Sequence, residues 1–127
     1  MENLIKSFFE QKTFVIAGSF RDETKYAYKI LKILIKKGRQ VYPVNPGISE
    51  VEGLRCYKNI SDIPFEIDGV SLVTPPAISE QLLKQCLEKH VKIVWFQPGA
   101  ESEAAIKSCR DNSIKAIHGL CLMLESL

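Results

Sequence analysis

Closely spaced cysteines, histidine and net charge are all scarce in this chain, and each scarcity removes a class of function. The 127 residues hold four cysteines, Cys56, Cys86, Cys109 and Cys121, without a C-x-x-C pair among them. The two histidines, His90 and His118, do not complete a ligand cluster, so a zinc site is not indicated. Scattered cysteines of this kind read as small buried hydrophobes, with one reservation for Cys121, in which a reactive thiol is left open. A net charge of +2 gives no argument for nucleic acid or an anionic membrane as partner. No apolar run approaches the roughly 18 residues of a membrane span. The opening Met1-Glu2-Asn3-Leu4-Ile5-Lys6 shows no secretion signal, and a cytoplasmic location is the expectation. G-x-S-x-G is missing, so no nucleophile elbow is present.

What is present is a set of five short apolar runs that each end in small or polar residues. They are Phe14-Val15-Ile16-Ala17-Gly18-Ser19, Val41-Tyr42-Pro43-Val44-Asn45-Pro46, Val70-Ser71-Leu72-Val73-Thr74-Pro75-Pro76, Ile93-Val94-Trp95-Phe96-Gln97-Pro98-Gly99 and Ala116-Ile117-His118-Gly119. Apolar runs alternating with amphipathic helices predict a parallel sheet buried on both faces. The expected fold is α/β, a three-layer sandwich with a mostly parallel sheet of five or six strands and helices on both faces. The chain is read as one domain over 1–127, with a helix over 1–11 ahead of the core.

The clearest helix is predicted over 23–37. Ala27, Ile30, Leu31, Leu34 and Ile35 form its apolar stripe, Lys25, Lys29, Lys32 and Lys36 its solvated face, and Gly38 its stop. Leu54-Arg55-Cys56-Tyr57 reads as a short extra strand or edge segment, and Asp62-Ile63-Pro64 as a turn. The proline pair after Thr74 ends a strand and opens a helix to about residue 90, with Ile78, Leu82, Cys86 and Leu87 inward. A further helix carries Glu101 and Glu103 in its first turn and Lys107 and Arg110 near its end, matching the helix dipole. Trp95 sits inside an apolar run and is read as core.

Ligands of such sheets lie beyond the carboxyl ends of the strands. Gly18-Ser19 leads from the first strand toward a helix N-terminus, where backbone N–H groups suit a phosphate. Ser19, Arg21 and Lys25 add donors and charge, although Gly18 is equally what a tight turn needs. The single glycine is not G-x-G-x-x-G, and Asn45-Pro46 stands where an acidic residue would grip the ribose of NAD, so an ordinary NAD site is disfavoured. Thr74-Pro75-Pro76 offers a rigid rim to a ring or a pantetheine arm, and Gln97 a hydrogen bond, but both also read as punctuation between elements. His118 near a strand end is a general base or a structural hydrogen-bonder. Asp22, Glu23 and Asp62 read as caps or turn residues. None of this amounts to a catalytic constellation.

Taken in order, these strand ends resemble the stand-alone CoA-binding domain proteins, which share the Rossmann-like fold of the CoA-binding domain of succinyl-CoA synthetase alpha chains. The resemblance is carried by Val15-Ile16-Ala17-Gly18-Ser19, Lys25-Tyr26-Ala27-Tyr28, Val41-Tyr42-Pro43-Val44-Asn45-Pro46 and Gly53-Leu54-Arg55-Cys56-Tyr57. Ile63-Pro64, Asp68, Trp95-Phe96-Gln97-Pro98-Gly99 and Cys121-Leu122-Met123 continue it, covering about 13–125. It implies coenzyme A or an acyl-CoA lying across the strand ends. Gly18, Ser19, Phe20, Arg21, Lys25 and Tyr26 would then make the phosphate side. Asn45 and Pro46 would border the nucleotide, Thr74, Pro75 and Pro76 would close its other side, and Gln97, Pro98 and Gly99 would lie farther along. Relatives often place a basic residue after Asn-Pro, where this chain has Gly47, and Phe20 is bulky beside a phosphate. The expected role is binding without catalysis, as carrier, sensor or enzyme partner. A small nucleotide ligand is the expected partner, and a protein partner or a homodimer is left open. The alternatives are an NAD(H)-type nucleotide or redox sensor and a subunit of a CoA-thioester enzyme.

Overall fold

Runs such as Phe14–Ala17 and Ile93–Phe96 are apolar at every position, so a strand built from them needs cover on both faces. The computed structural model, which describes residues 2–126, supplies that cover. In chain order the elements are α1 (Glu2–Glu10), β1 (Thr13–Ala17), α2 (Tyr26–Lys36), β2 (Gln40–Val44), β3 (Glu50–Val51) and β4 (Leu54–Arg55). A 3-10 turn (Ile60–Asp62), β5 (Gly69–Leu72), α3 (Pro76–Glu88), β6 (Ile93–Phe96), α4 (Glu103–Asp111), β7 (Lys115–Ile117) and α5 (Leu122–Glu125) follow. No helix among the described residues is long and apolar enough to cross a membrane.

Five strands form one parallel sheet in the order β2-β1-β5-β6-β7, with Val15 opposite both Tyr42 and Val70. β3 and β4 pair separately as a two-stranded antiparallel ribbon. Strand alternation divides the core in two. Val15, Val70, Val94 and Phe96 pack with Leu82, Leu83, Cys86 and Cys109 of α3 and α4 on one face. Phe14, Ile16, Ile93 and Trp95 pack with Phe8, Ile30, Leu31, Leu34 and Leu122 of α1, α2 and α5 on the other. The result is the α/β Rossmann-like sandwich expected, with five strands in its sheet. Trp95 is fully buried, with Phe8 and Phe9 edge-on at 5.1 and 5.8 Å. Pro43 lacks an N–H and sits on the edge strand β2, where the Tyr57 N–H donates to its carbonyl at 2.9 Å.

Several boundaries differ from the sequence reading. α2 starts at Tyr26 rather than 23, because Asp22 accepts from the Thr24 amide (2.8 Å) and hydroxyl and holds that segment as a turn. Its end is as read: Gly38 has φ +77°, and Arg39 N–H donates to the Leu34 carbonyl at 3.1 Å. α3 stops at Glu88. Ile78, expected inward, is 42% exposed, because the first turn of α3 overhangs the strand ends. Ile35 is also exposed, at the rim of the α2 stripe. α4 begins after Ser102, whose hydroxyl accepts from Ala105 N–H at 3.0 Å, so Glu101 lies ahead of the helix. There it accepts from the Gly99 N–H at 3.2 Å.

Candidate functional site

β1 connects through α2 to β2 on one side, while β5 lies on its other side, so the loops leaving β1 and β5 diverge. Such a switch point opens a crevice at the carboxyl ends of the strands. Here it is a cleft of about 540 Å³. Gly18, Ser19, Asn45, Pro46, Thr74 and Pro75 all line it, drawn from the ends of three different strands. Larger hollows of about 700 and 550 Å³ lie where the strands begin and hold none of the candidate residues.

Gly18 is set by packing. A Cβ there would stand 2.7 Å from the Ala27 Cβ and 2.9 Å from the Val73 carbonyl, so glycine lets α2 cross close over the exit of β1. Asn45 braces the same loop. Its amide donates to the Gly18 carbonyl at 2.6 Å, and its side-chain oxygen accepts from the Gly47 N–H at 2.7 Å. Both ends of that side chain are thus used to shape the cleft. The Thr74 and Ser79 hydroxyls meet at 2.7 Å beneath the Pro75–Pro76 corner, where Pro76 is the first residue of α3.

The loop from Ser19 to Lys25 holds two cations, Arg21 and Lys25, and two acids, Asp22 and Glu23. Lys25 precedes the first turn of α2, which has no capping side chain and no acidic residue, so the orphan N–H groups and the positive dipole end are uncovered. Arg21 is exposed and stands 3.9 Å from Asp22. Hydrogen bonds from the Thr24 hydroxyl and amide, with Lys25 and Arg21 nearby, hold the Asp22 carboxyl below the usual carboxylate range. Phe20, assigned by its position to the phosphate side, is instead buried in the core with α2, at 4% exposure. An apolar ring in a polar loop gains about 2 kcal/mol by folding inward.

Tyr26, Gln97 and Pro98 line a second cavity, of about 260 Å³, with Cys121, Met123 and Leu124. Gln97 is its buried brace, donating to the Ser71 hydroxyl at 3.1 Å and accepting from the Leu122 N–H at 2.9 Å. Gly99 forms an exposed turn with φ +93°. His118 lines neither carboxyl-end cavity. The 540 Å³ cleft also takes in Lys58, Asn59, Ile78, Gln81 and Gln85, which the sequence reading missed. Lys58 supplies a basic group on that wall, although the position after Pro46 is Gly47. Its place follows from a parallel bridge of Tyr57 to Val44, a tertiary contact with no local signature. Gln85 accepts from the Ile60 and Ser61 amides and so fixes the 3-10 turn beside the cleft. No group of metal-ligating side chains occurs among the described residues.

An open parallel sheet with a crevice at its switch point defines the α/β Rossmann-like class of domain, and comparison with known proteins narrows it. The profile of the CoA binding domain family matches residues 12–126. The chain belongs to that family. It is 36% identical over 90 residues to the alpha subunit of an ADP-forming acetate–CoA ligase II of Pyrococcus furiosus, covering 70% of this chain and 20% of that protein. The chain thus spans about a fifth of that relative's length. A solved structure of a conserved hypothetical protein from Pyrococcus furiosus superposes with TM-score 0.83 at 36% identity, over 91% of this chain and 99% of that one. A hypothetical protein from Pyrococcus horikoshii superposes with TM-score 0.93 at 29% identity, over 98% and 89%.

Proposed function

We propose that the chain binds coenzyme A or an acyl-CoA across the carboxyl ends of its strands without turning it over. The observation that carries this reading is the uncapped N-terminus of α2, reached by a loop with Ser19, Arg21 and Lys25 and free of acidic residues in its first turn. The phosphates lie on that loop, where the helix end contributes about 0.3–2 kcal/mol. The nucleotide packs in the 540 Å³ cleft between Asn45-Pro46 and Thr74-Pro75, with Lys58 on its wall. The pantetheine arm runs on past the end of β6 toward Gln97 and Pro98. Family membership supports the ligand, and the ligase alpha-subunit relative favours partnership with an enzyme among the roles of carrier, sensor and partner.

Thermal unfolding of the purified chain with CoA, acetyl-CoA, NADH and ATP tests the reading. Ligand at a hundred times its dissociation constant adds about 2.7 kcal/mol of stability, which raises the midpoint by several degrees. The expected result is a shift with CoA and none with NADH, since β2 is followed by Asn45 rather than an acid. No shift with CoA, in protein that mass spectrometry finds free of bound ligand, overturns the reading. Ser19→Glu places a like charge beside the phosphates and is expected to weaken CoA binding. Unchanged affinity would put the site elsewhere.

A further inference from the structure

Exposed apolar side chains gather at the carboxyl end of the sheet. Leu124 and Tyr26, at 66% and 62% exposure, are the most exposed large hydrophobic residues among those described, and both stand on the 260 Å³ cavity. Pro98, Met123 and Cys121 complete its wall, and no lysine, arginine, histidine, aspartate or glutamate lines it. Its shape is held from the sheet. Gln97 bonds Ser71 and the Leu122 amide, and the Trp95 indole N–H donates to the Leu120 carbonyl at 2.9 Å, tying the segment before α5 onto β6. The cavity is therefore held in shape by the sheet, and it is lined mostly by groups that give water few partners. It lies past the ends of β1 and β5 at β6, two strand spacings or about 10 Å across the sheet from the loop at Ser19. That distance is within the span of a pantetheine arm whose phosphates rest on the loop.

We propose that this cavity receives the acyl group of a thioester, and that the ligand is a CoA ester of a short, uncharged aliphatic acid rather than free CoA. The proposal rests on the CoA reading above and goes beyond it in naming the acyl class. Each methylene buried there tightens binding about fourfold. A terminal carboxylate on the acyl group would enter a pocket with no basic side chain in its lining and only the helix end at Tyr26 to meet it, so dicarboxylic acyl groups bind more weakly.

Titration calorimetry of the full chain with CoA, acetyl-CoA, butyryl-CoA and succinyl-CoA tests this. Butyryl-CoA is expected to bind more tightly than acetyl-CoA, by up to about fifteenfold if both added methylenes are buried, and succinyl-CoA more weakly than butyryl-CoA. Leu124→Ser, at an exposed position and so compatible with folding, is expected to narrow the ratio of butyryl-CoA to CoA affinity. CoA and butyryl-CoA binding alike, or succinyl-CoA matching butyryl-CoA, overturns the acyl site and leaves the CoA reading standing. Binding of none of the four overturns both.

Discussion

Thr13 and Asp68 stand 55 residues apart in the chain and meet where β1 and β5 begin. The Thr13 hydroxyl donates to the Asp68 carboxylate at 2.9 Å, and the Thr13 and Lys12 amides add longer contacts at 3.3 and 3.4 Å. Burial works to raise this carboxyl's pKa, but those hydrogen bonds and Lys92 at 3.8 Å outweigh it and hold Asp68 below the usual carboxylate range. The folded chain therefore takes up this proton less readily than the unfolded one. The resulting stability is full above about pH 4 and is lost as pH falls through the lower folded value. Asp68→Asn is expected to cost about 1–2 kcal/mol at pH 7, with the gap to wild type closing toward pH 2, as read from urea midpoints. The cysteines divide just as sharply. Burial raises the thiols of Cys56 and Cys86 and lifts Cys109 to about 11, while Cys121 is half-buried on the second cavity. Iodoacetamide at pH 8 is expected to label Cys121 alone in the native protein. Peptide mapping that finds Cys86 or Cys109 labelled equally fast would refute that division.

At the scale of elements, the four-residue helix α5 is too short to hold itself, so its attachment to β6 decides whether it stays. Gln97→Leu removes the acceptor for the Leu122 N–H and the donor to Ser71 in a buried setting, and is expected to cost about 1–3 kcal/mol. Hydrogen exchange at Leu122 should then quicken more than at Val94 in the sheet. Unchanged exchange at Leu122 would mean that packing alone anchors α5. Period and punctuation made most elements legible beforehand. The stripe from Ala27 to Leu34 and the stop at Gly38 follow from helical spacing and the left-handed cap, and the five apolar runs are the five sheet strands. What escaped depends on tertiary placement. Ile78 shares a helical face with Leu82 and Cys86, yet α3 projects past the sheet and carries Ile78 out over the cleft. Phe20 reads as a loop residue until the loop folds it inward. Asn45 and Gln97 are polar residues at strand ends, which suits a ligand contact or a brace equally, and only the partners of their amides reveal the bracing. Six of the strand-end residues chosen from sequence line the 540 Å³ cleft together, because parallel strands leave their carboxyl ends side by side.

The molecule as a whole has a net charge of +2 and so no long-range field with which to gather anions. Attraction for a phosphorylated ligand must come from cations within a Debye length of it, about 8 Å at physiological salt. Lys36 and Lys37 sit at the far end of α2, about 16 Å of helix from its N-terminus. Changing both to glutamine is expected to alter CoA affinity less than twofold, whereas Lys25→Gln weakens it more; equal effects in calorimetry would point to a diffuse attraction. Strand order has a further consequence. β1–β2, β5–β6 and β6–β7 are each joined by a single crossover, whereas β1 and β5 come together only after the chain between Ala17 and Gly69 has closed on itself. The candidate cleft lies across that junction, so its walls exist only once the loop is closed and both halves have docked. Contacts that form after the folding barrier change the unfolding rate and leave the folding rate nearly alone. Stopped-flow denaturant jumps are therefore expected to show CoA slowing unfolding while leaving the refolding rate nearly unchanged. An equal change in both rates would mean that the cleft forms earlier. The junction that creates the crevice thus also makes occupancy a clock, lengthening the time each folded molecule lasts without hastening its formation.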